Sequence, residues 1–264
     1  MQIGITEQGD AGIDLTWVDK VKSNQVDGCI LITKNITSKF IDNVINLHKL
    51  NKKLIVHCTC TGWGKTILEP NVPGYLDQLF NLNNLIAAGF PKERCILRID
   101  PIIPTEEGIL RANKVLNQAK LMEFIPDMRV RISILDEYQH TKKRFMELNI
   151  PTIYEGNRFQ ANNKEMQRVI KLIKMNADVH FECCAEPKLN SELKERKIFN
   201  LESSGCVNWE DINRMDIDVS DRESDKMQYN LQNRAGCLCL SCKTELLNRR
   251  TQCPNKCVYC YWTN

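Results

Sequence analysis

The sequence has no apolar run near the roughly 20 residues that a membrane-spanning helix needs, so no membrane partner is expected. Residues 1–10 lack the basic region and apolar core of a signal peptide, and this predicts a cytoplasmic protein. Charge of one sign is also in short supply: 36 Lys and Arg face 33 Asp and Glu, a net +3 that argues for no polyanionic partner by itself. The basic residues near the end (Arg234, Lys243, Arg249, Arg250, Lys256) are compatible with a phosphate-bearing partner, but such bias is more often a solvated surface. There is no internal repeat, no low-complexity segment and no basic groove interleaved with aromatics of the kind single-strand binders use. A hydrophobic fraction of 42% is ordinary for a globular chain, and 264 residues suffice for one large α/β domain or two small ones.

Cysteine, by contrast, is abundant. Thirteen cysteines in a chain without an export signal should meet a reducing compartment, where thiols bind metals rather than pair, and the odd number argues against a closed disulfide framework. The densest group ends the chain: Cys253, Cys257 and Cys260 in the spacing C-x3-C-x2-C, with Tyr259 directly before the third. Three thiolates this close can hold three irons of a [4Fe–4S] cluster and leave the fourth iron without a protein ligand. An open iron is what S-adenosylmethionine needs, because its amino and carboxylate groups chelate there. The reduced cluster then passes an electron to the sulfonium and releases a 5′-deoxyadenosyl radical, chemistry that belongs to the cofactor while the protein positions it. Tyr259 would place a ring near the adenine. Zinc is the competing ligand: Cys239-x2-Cys242 and Cys257-x2-Cys260 have the spacing of a four-cysteine knuckle.

Upstream, short apolar runs alternate with amphipathic stretches. Strands are expected at Ile3–Thr6, Gly28–Ile32, Lys53–His57, Arg94–Ile99, Met128–Leu135 and Asp178–Cys183, and helices at Leu15–Ser23, from an N-cap at Ser38, and at Leu76–Gly89, Glu106–Leu121 and Asn162–Met175. Alternation of this kind implies a parallel sheet with right-handed crossovers, closed most economically as a partial (β/α) barrel of about six strands with a C-terminal cysteine-rich tail. The expected division is a barrel over 1–187, a charged connection over 188–233 with short helices near Ser191–Arg196 and Asp211–Met215, and the tail over 234–264.

In parallel α/β folds the active site lies at the strand C-terminal ends. That rule gathers Glu7, Gln8, Asp10, Thr33, Lys34, Asn35, His57, Thr59, Thr61, Arg98, Asp100, Ser133, Asp136, Glu182, Cys184 and Glu186. Charge at a buried strand end is costly unless paired, so Lys34, Arg98, Asp100 and Glu186 are the candidates for a polar floor under cofactor or substrate. The bland readings are that Arg98 and Asp100, on one face of a strand, pair with each other, that Asp100 before Pro101 and Asp136 cap turns, and that His57 is a core histidine bonded to a backbone carbonyl.

Several stretches together resemble one family, the radical-SAM-like proteins catalogued as Domain of Unknown Function 1848. They are Ile32–Asn35, Thr59–Gly64, Leu68–Pro73, Arg98–Ile102, Ile132–Tyr138, Cys184–Glu186, Gly205–Val207, Gln232–Arg234, Cys237–Cys239 and the terminal cysteine motif, in the family's order. The resemblance implies a radical S-adenosylmethionine enzyme with its cluster motif at the C-terminus rather than near the N-terminus. A permuted barrel reconciles the two, with Cys237–Leu240 as the strand before the cluster loop and the tail beside Ile3–Thr6 at the barrel mouth. The resemblance also implies an electron donor such as a flavodoxin or ferredoxin, and a substrate not identified by the sequence, with a nucleobase or nucleic acid as one candidate. Some departures fall where ligands would bind. The family's Ser-Arg-Arg-Thr-Asp run is Thr6-Glu7-Gln8-Gly9-Asp10 here, and its serine and aspartate-isoleucine-glycine after the C-x-C pair are replaced by Ser241-Cys242-Lys243-Thr244-Glu245. The superfamily's glycine-glycine-glutamate motif is not evident, and Glu186 is the expected substitute. The rival expectation is a zinc-binding module for a small ligand or nucleic acid, without radical chemistry.

Overall fold

A computed structural model describes residues 1–183, 186–218, 237–247 and 253–262. Cys184, Arg234, Arg249 and Arg250 lie outside the described residues. The described strands are β1 (Ile3–Ile5), β2 (Gly28–Thr33), β3 (Leu54–Thr59), β4 (Cys95–Ile102), β5 (Arg129–Ile134), β6 (Phe181–Cys183), β7 (Leu201–Ser203) and β8 (Lys243–Glu245). They form one eight-stranded sheet in the order β7-β6-β5-β4-β3-β2-β1-β8, with every pair parallel. This is the expected partial (β/α) barrel, extended by two strands that short length hid from periodicity. β7 comes from the stretch read as a connection and β8 from the tail.

The helices are α1 (Trp17–Lys22), α2 (Ser38–Lys49), α3 (Tyr75–Ala87), α4 (Glu106–Leu121), α5 (Gln139–Glu147), α6 (Asn163–Met175), α7 (Pro187–Glu195) and α8 (Trp209–Arg214). α2 is capped by Thr37, whose side chain accepts the Phe40 amide, so Ser38 is the first helical residue and not the cap. Thr105 caps α4 in the same way, and Asn162 with Glu165 closes a capping box on α6. α6 buries Met166, Val169, Ile170 and Ile173 at helical spacing. α5 was not anticipated: its sequence is mostly polar, and it buries only Thr141, Lys142 and Phe145.

Strand alternation sorts residues between two faces. Cys29, Leu31, Leu54, Val56, Leu97, Ile99, Val130, Ile132 and Phe181 share one core cluster with the apolar sides of α2, α3, α4 and α6. The opposite face begins apolar, with Ile3, Ile5, Ile30, Ile32, Ile55 and Ile96 packed on Val207, Ile212, Met215 and Leu240. Along the same face β5 and β6 carry a buried charge network. Arg129 bridges Glu182 and Asp211 at 2.8 Å each, and Arg131 reaches Glu182 through two nitrogens at 2.8 and 2.5 Å. His57 is not bonded to a backbone carbonyl as expected: its Nε2 lies 3.5 Å from the Arg131 guanidinium. Burial, reinforced by the charges of Arg131, Arg98 and Arg129, holds its pKa well below the ordinary value. The imidazole is therefore neutral and accepts from Arg131.

Two expectations follow. Arg131→Ala leaves Glu182 and Asp211 short of a buried partner and should lower unfolding stability by about 3–5 kcal/mol in a denaturant titration. At the β1–β8 seam, burial pushes the Glu245 carboxyl up to about 7 from 4.5. Its contribution is fully present below pH about 4.5, where folded and unfolded chains both hold the proton, and is lost as pH rises to about 7. Glu245→Gln should flatten that decline in a melting series from pH 4 to pH 8; an unchanged slope contradicts it.

Candidate functional site

The strand C-terminal ends and the tail enclose a cavity of about 190 Å3. Its wall includes Lys34 after β2, Arg98 and Asp100 on β4, Ser133 on β5, and Cys253, Cys257, Tyr259 and Cys260 from the tail. Residues predicted from both ends of the sequence thus meet in one place. Glu186 does not line the cavity; its carboxylate accepts the backbone amide of Ile134 at 3.1 Å.

Two buried carboxylates dock the tail. Asp10, past β1, takes the Thr33 hydroxyl at 2.5 Å, the Lys34 amide at 2.9 Å and the Asn255 side-chain amide at 2.6 Å. Asn255 also receives Asn35 at 2.6 Å, which fixes the loop between Cys253 and Cys257. Glu69, fully buried, accepts Lys34 and Thr61 at 2.7 Å each and the hydroxyl of Tyr259. Lys34 adds a 3.1 Å contact to that hydroxyl. The Tyr259 hydroxyl is thus committed to anchoring, while Val258 and Tyr259 pack with Trp63, Leu68, Leu135 and Phe145. Bonds to main-chain carbonyls complete the docking: the Val258 amide donates to Leu68 at 3.0 Å, the Asn71 side chain to Pro254 at 2.7 Å, and the Arg144 guanidinium to Cys260.

Arg98 and Asp100 pair as expected, and Asp100 also takes the hydroxyl of Ser133. Around the mouth, Tyr138 stacks on Tyr261 at 5.8 Å, and Tyr261 contacts Trp262 at 4.7 Å. Burial tends to lower the Lys34 pKa, but the Glu69 carboxylate and Cys257 outweigh it and hold the ammonium firmly charged. Burial raises the Cys257 thiol, against the pull of Lys34, and pushes Cys253 up to about 11. Metal binding at these thiols displaces protons.

The tail is not arranged as a zinc knuckle. Cys242 sits at the start of β8 in a separate surface pocket with Met1 and Asp27, away from Cys257 and Cys260. Among the described residues, the group of three ligand-type side chains whose atoms all lie within 4.8 Å of one another is His180, Glu182 and Glu202. There Glu182 is already committed to Arg129 and Arg131. Thiolates on one zinc stand roughly 3.8 Å apart, given the tetrahedron and its bond lengths. Cysteines on a cubane each bind a different iron and stand wider. The strand expected before the cluster loop also moves: it is β8 at Lys243–Glu245, paired with Ile3–Ile5, and not Cys237–Leu240.

A further trio of cysteines lines the same cavity: Cys206, Cys237 and Cys239. A hydrogen bond from Cys239 lowers the Cys237 thiol to about 6 against the cost of burial. Sequence reasoning did not single out Arg129, Arg131, Asp211, Asn255 or Cys206. The period-two spacing of Arg129, Arg131 and Ser133 was a usable signal for one polar face. Nothing local marked the other three.

Asn255→Ala removes two of the bonds that seat the tail. Amide exchange over 253–262 should rise about tenfold, as expected for about 1–1.5 kcal/mol of hydrogen bonding, with exchange in β3 and β4 unchanged. Equal exchange in the tail contradicts this docking.

Against solved structures the chain is similar to KGPDC from Streptococcus mutans at 14% identity, covering 77% of this chain and 87% of that one with a TM-score of 0.26. It is likewise similar to a 3-hexulose-6-phosphate synthase at 14% identity, covering 82% and 97%, also with a TM-score of 0.26. Likeness at this level transfers nothing about substrate or mechanism. No curated protein matches the sequence. The family model described as "Domain of unknown function (DUF1848)" matches residues 15–262, nearly the whole chain, and the protein belongs to that family.

Proposed function

We propose that the protein is a radical S-adenosylmethionine-type enzyme with a [4Fe–4S] cluster held by Cys253, Cys257 and Cys260. The observation that carries this reading is the shared cavity: all three cysteines line the space that also holds Lys34, Arg98 and Asp100. The donor set fits the group, since among the described residues the three thiols are not gathered with a fourth donor at single-ion spacing, which suits a cluster with one open iron better than a closed zinc tetrahedron. When bound, such a cluster supplies one electron to the sulfonium and so a 5′-deoxyadenosyl radical that abstracts hydrogen from the substrate.

The chain's own residues have separable tasks. Lys34, cationic and beside Cys257, offsets the negative charge of a thiolate donor set. Asn255 fixes the cysteine loop on Asp10. The Arg98–Asp100 pair, held by Ser133, offers a fixed donor and acceptor to cofactor or substrate. Tyr259 anchors the loop through its hydroxyl, and the edge of its packed ring that lines the cavity is assigned to the adenine. Tyr138, Tyr261 and Trp262 give the mouth flat aromatic faces, which suit a heterocyclic substrate and make a nucleobase or nucleic acid the class to try first. Glu186, outside the wall, is not assigned a ligand role. A flavodoxin- or ferredoxin-type donor is the expected source of the electron.

Anaerobic reconstitution with iron and sulfide, followed by reduction and S-adenosylmethionine, should yield 5′-deoxyadenosine. Cys257→Ala should reduce the yield by at least about a hundredfold, as loss of a cluster ligand removes the reactive centre. Bound zinc with no product and no absorption near 400 nm, roughly where iron–sulfur clusters absorb, would favour the zinc-binding module instead.

A further inference from the structure

Cys237 and Cys239 stand two apart on the segment that leads into β8, and the Cys239 thiol donates a hydrogen bond to the Cys237 sulfur. That sulfur also accepts the Cys239 backbone amide, while the Cys239 sulfur accepts the Cys206 backbone amide at 3.2 Å. Donors therefore run in one line, from the Cys206 amide to Cys239 and from Cys239 to Cys237. The backbone holds that line in place. Leu240 donates its amide to Val207 at 3.0 Å, and Gly205 permits the approach, since a Cβ there would lie 2.5 Å from the Leu238 carbonyl oxygen and 2.7 Å from the Cys239 Cα. Both cysteines line the cavity at the strand ends, and neither is in a disulfide. Lys243 on β8, paired with Glu7 at 2.9 Å, favours a thiolate at Cys237. Cys206 opposes it, and its own sulfur lies 3.8 Å from the Arg98 guanidinium.

We propose that Cys237 and Cys239 are a thiol–disulfide redox couple that exchanges electrons with a small disulfide in the cavity, Cys237 attacking and Cys239 resolving. The Cys237 thiolate attacks one sulfur of a disulfide R–S–S–R, forming a Cys237–S–S–R bond and releasing one thiolate, which takes a proton. Cys239 then gives up its proton and attacks the Cys237 sulfur. The Cys237–Cys239 bond forms, the second R–S bond to the protein breaks, and that thiolate takes the proton. Two protein thiols are oxidised by two electrons and one disulfide is reduced to two thiols. Each sulfur has the donor its step needs: Cys237 accepts from Cys239 before the attack, and the Cys206 amide stabilises the Cys239 thiolate that must form second. The cavity, about 190 Å3, limits the partner to a small molecule. Plain packing accounts for buried thiols as small apolar groups, and burial pushes Cys29, Cys58 and Cys95 on the strands up accordingly. Cys237 is shifted the other way, to about 6, close to the neutral range where an attacking thiol works best.

The inference goes beyond the proposed function and does not rest on it. Its test needs neither iron nor S-adenosylmethionine, so its failure leaves the proposed function standing. The reduced full chain is incubated anaerobically with 2-hydroxyethyl disulfide, alkylated and digested with trypsin. Cleavage after Arg234 and Lys243 isolates one peptide that holds Cys237, Cys239 and Cys242. Fragmentation should show Cys237 joined to Cys239 with Cys242 outside the link, and excess 2-mercaptoethanol should return both thiols. Three unlinked thiols in that peptide, or a Cys237–Cys206 link, overturns the proposal. Alkylation of Cys237 by iodoacetamide supplies a second readout. Its rate should climb as pH rises through about 6, where the thiolate forms. Cys239→Ala removes the donor and should cut the rate at pH 7 at least about tenfold. Cys239→Ser, whose hydroxyl still donates, should keep the rate and form no disulfide. Equal rates in all three forms overturn the attacking role of Cys237. Should either variant fail to fold by circular dichroism, the linkage found in the unmodified chain decides the matter alone.

Discussion

The arrangement depends on two buried carboxylates that join the ends of the chain. Asp10 and Glu69 sit beneath the tail, and each collects donors from segments far apart in sequence: Thr33, Lys34 and Asn255 on one, Lys34, Thr61 and Tyr259 on the other. A buried carboxylate is stabilised by the donors it collects; on Glu69 all three fall on Oε1, and the buried Oε2 has no hydrogen-bond partner among the described residues. The barrel therefore favours the docked tail, because undocking would strip donors from Asp10 and Glu69 and expose Val258 and Tyr259. The same constraint fixes where the three terminal cysteines lie. They belong to the cavity because their neighbours Asn255 and Tyr259 satisfy charges that the barrel has already buried.

The sheet interior shows a related division. Isoleucines from β1 to β4 fill one part of it, and Arg129, Arg131, Glu182, Asp211 and His57 fill the other. The two arginines balance the two acids, and neutral His57 adds no charge. Above this layer, Arg98, Asp100 and Ser133 reach the cavity. A charge-balanced, hydrogen-bonded layer beneath a site holds the groups above it in place, as preorganised sites require.

Much of this is legible in the sequence alone. Strands β1 to β6 announced themselves by apolar runs and alternation, and the polar residues at their C-terminal ends converge as the parallel architecture demands. Lys34, Arg98 and Asp100 were found this way, and the C-x3-C-x2-C spacing marked the three tail cysteines as a group. What stayed hidden was non-local. β7 and β8 are three residues each, too short for periodicity to register. Asn255 reads as a loop residue until Asp10 lies beside it, and Cys206 has no spacing relation to Cys237. Glu69 was visible only inside a longer stretch, since a lone glutamate before a proline carries no sign that it will be buried under three donors. Glu186 went the other way: proximity to a strand end suggested the cavity, but the open amide of Ile134 takes its carboxylate.

The account stands on the tail cysteines holding a cluster inside the cavity. Anomalous diffraction at the iron and zinc edges, from crystals of the anaerobically reconstituted protein, tests this most directly. The account predicts an iron peak in contact with the sulfurs of Cys253, Cys257 and Cys260, with one iron lacking a protein ligand. A zinc peak with four protein ligands at the tail, or no metal there at all, would contradict it.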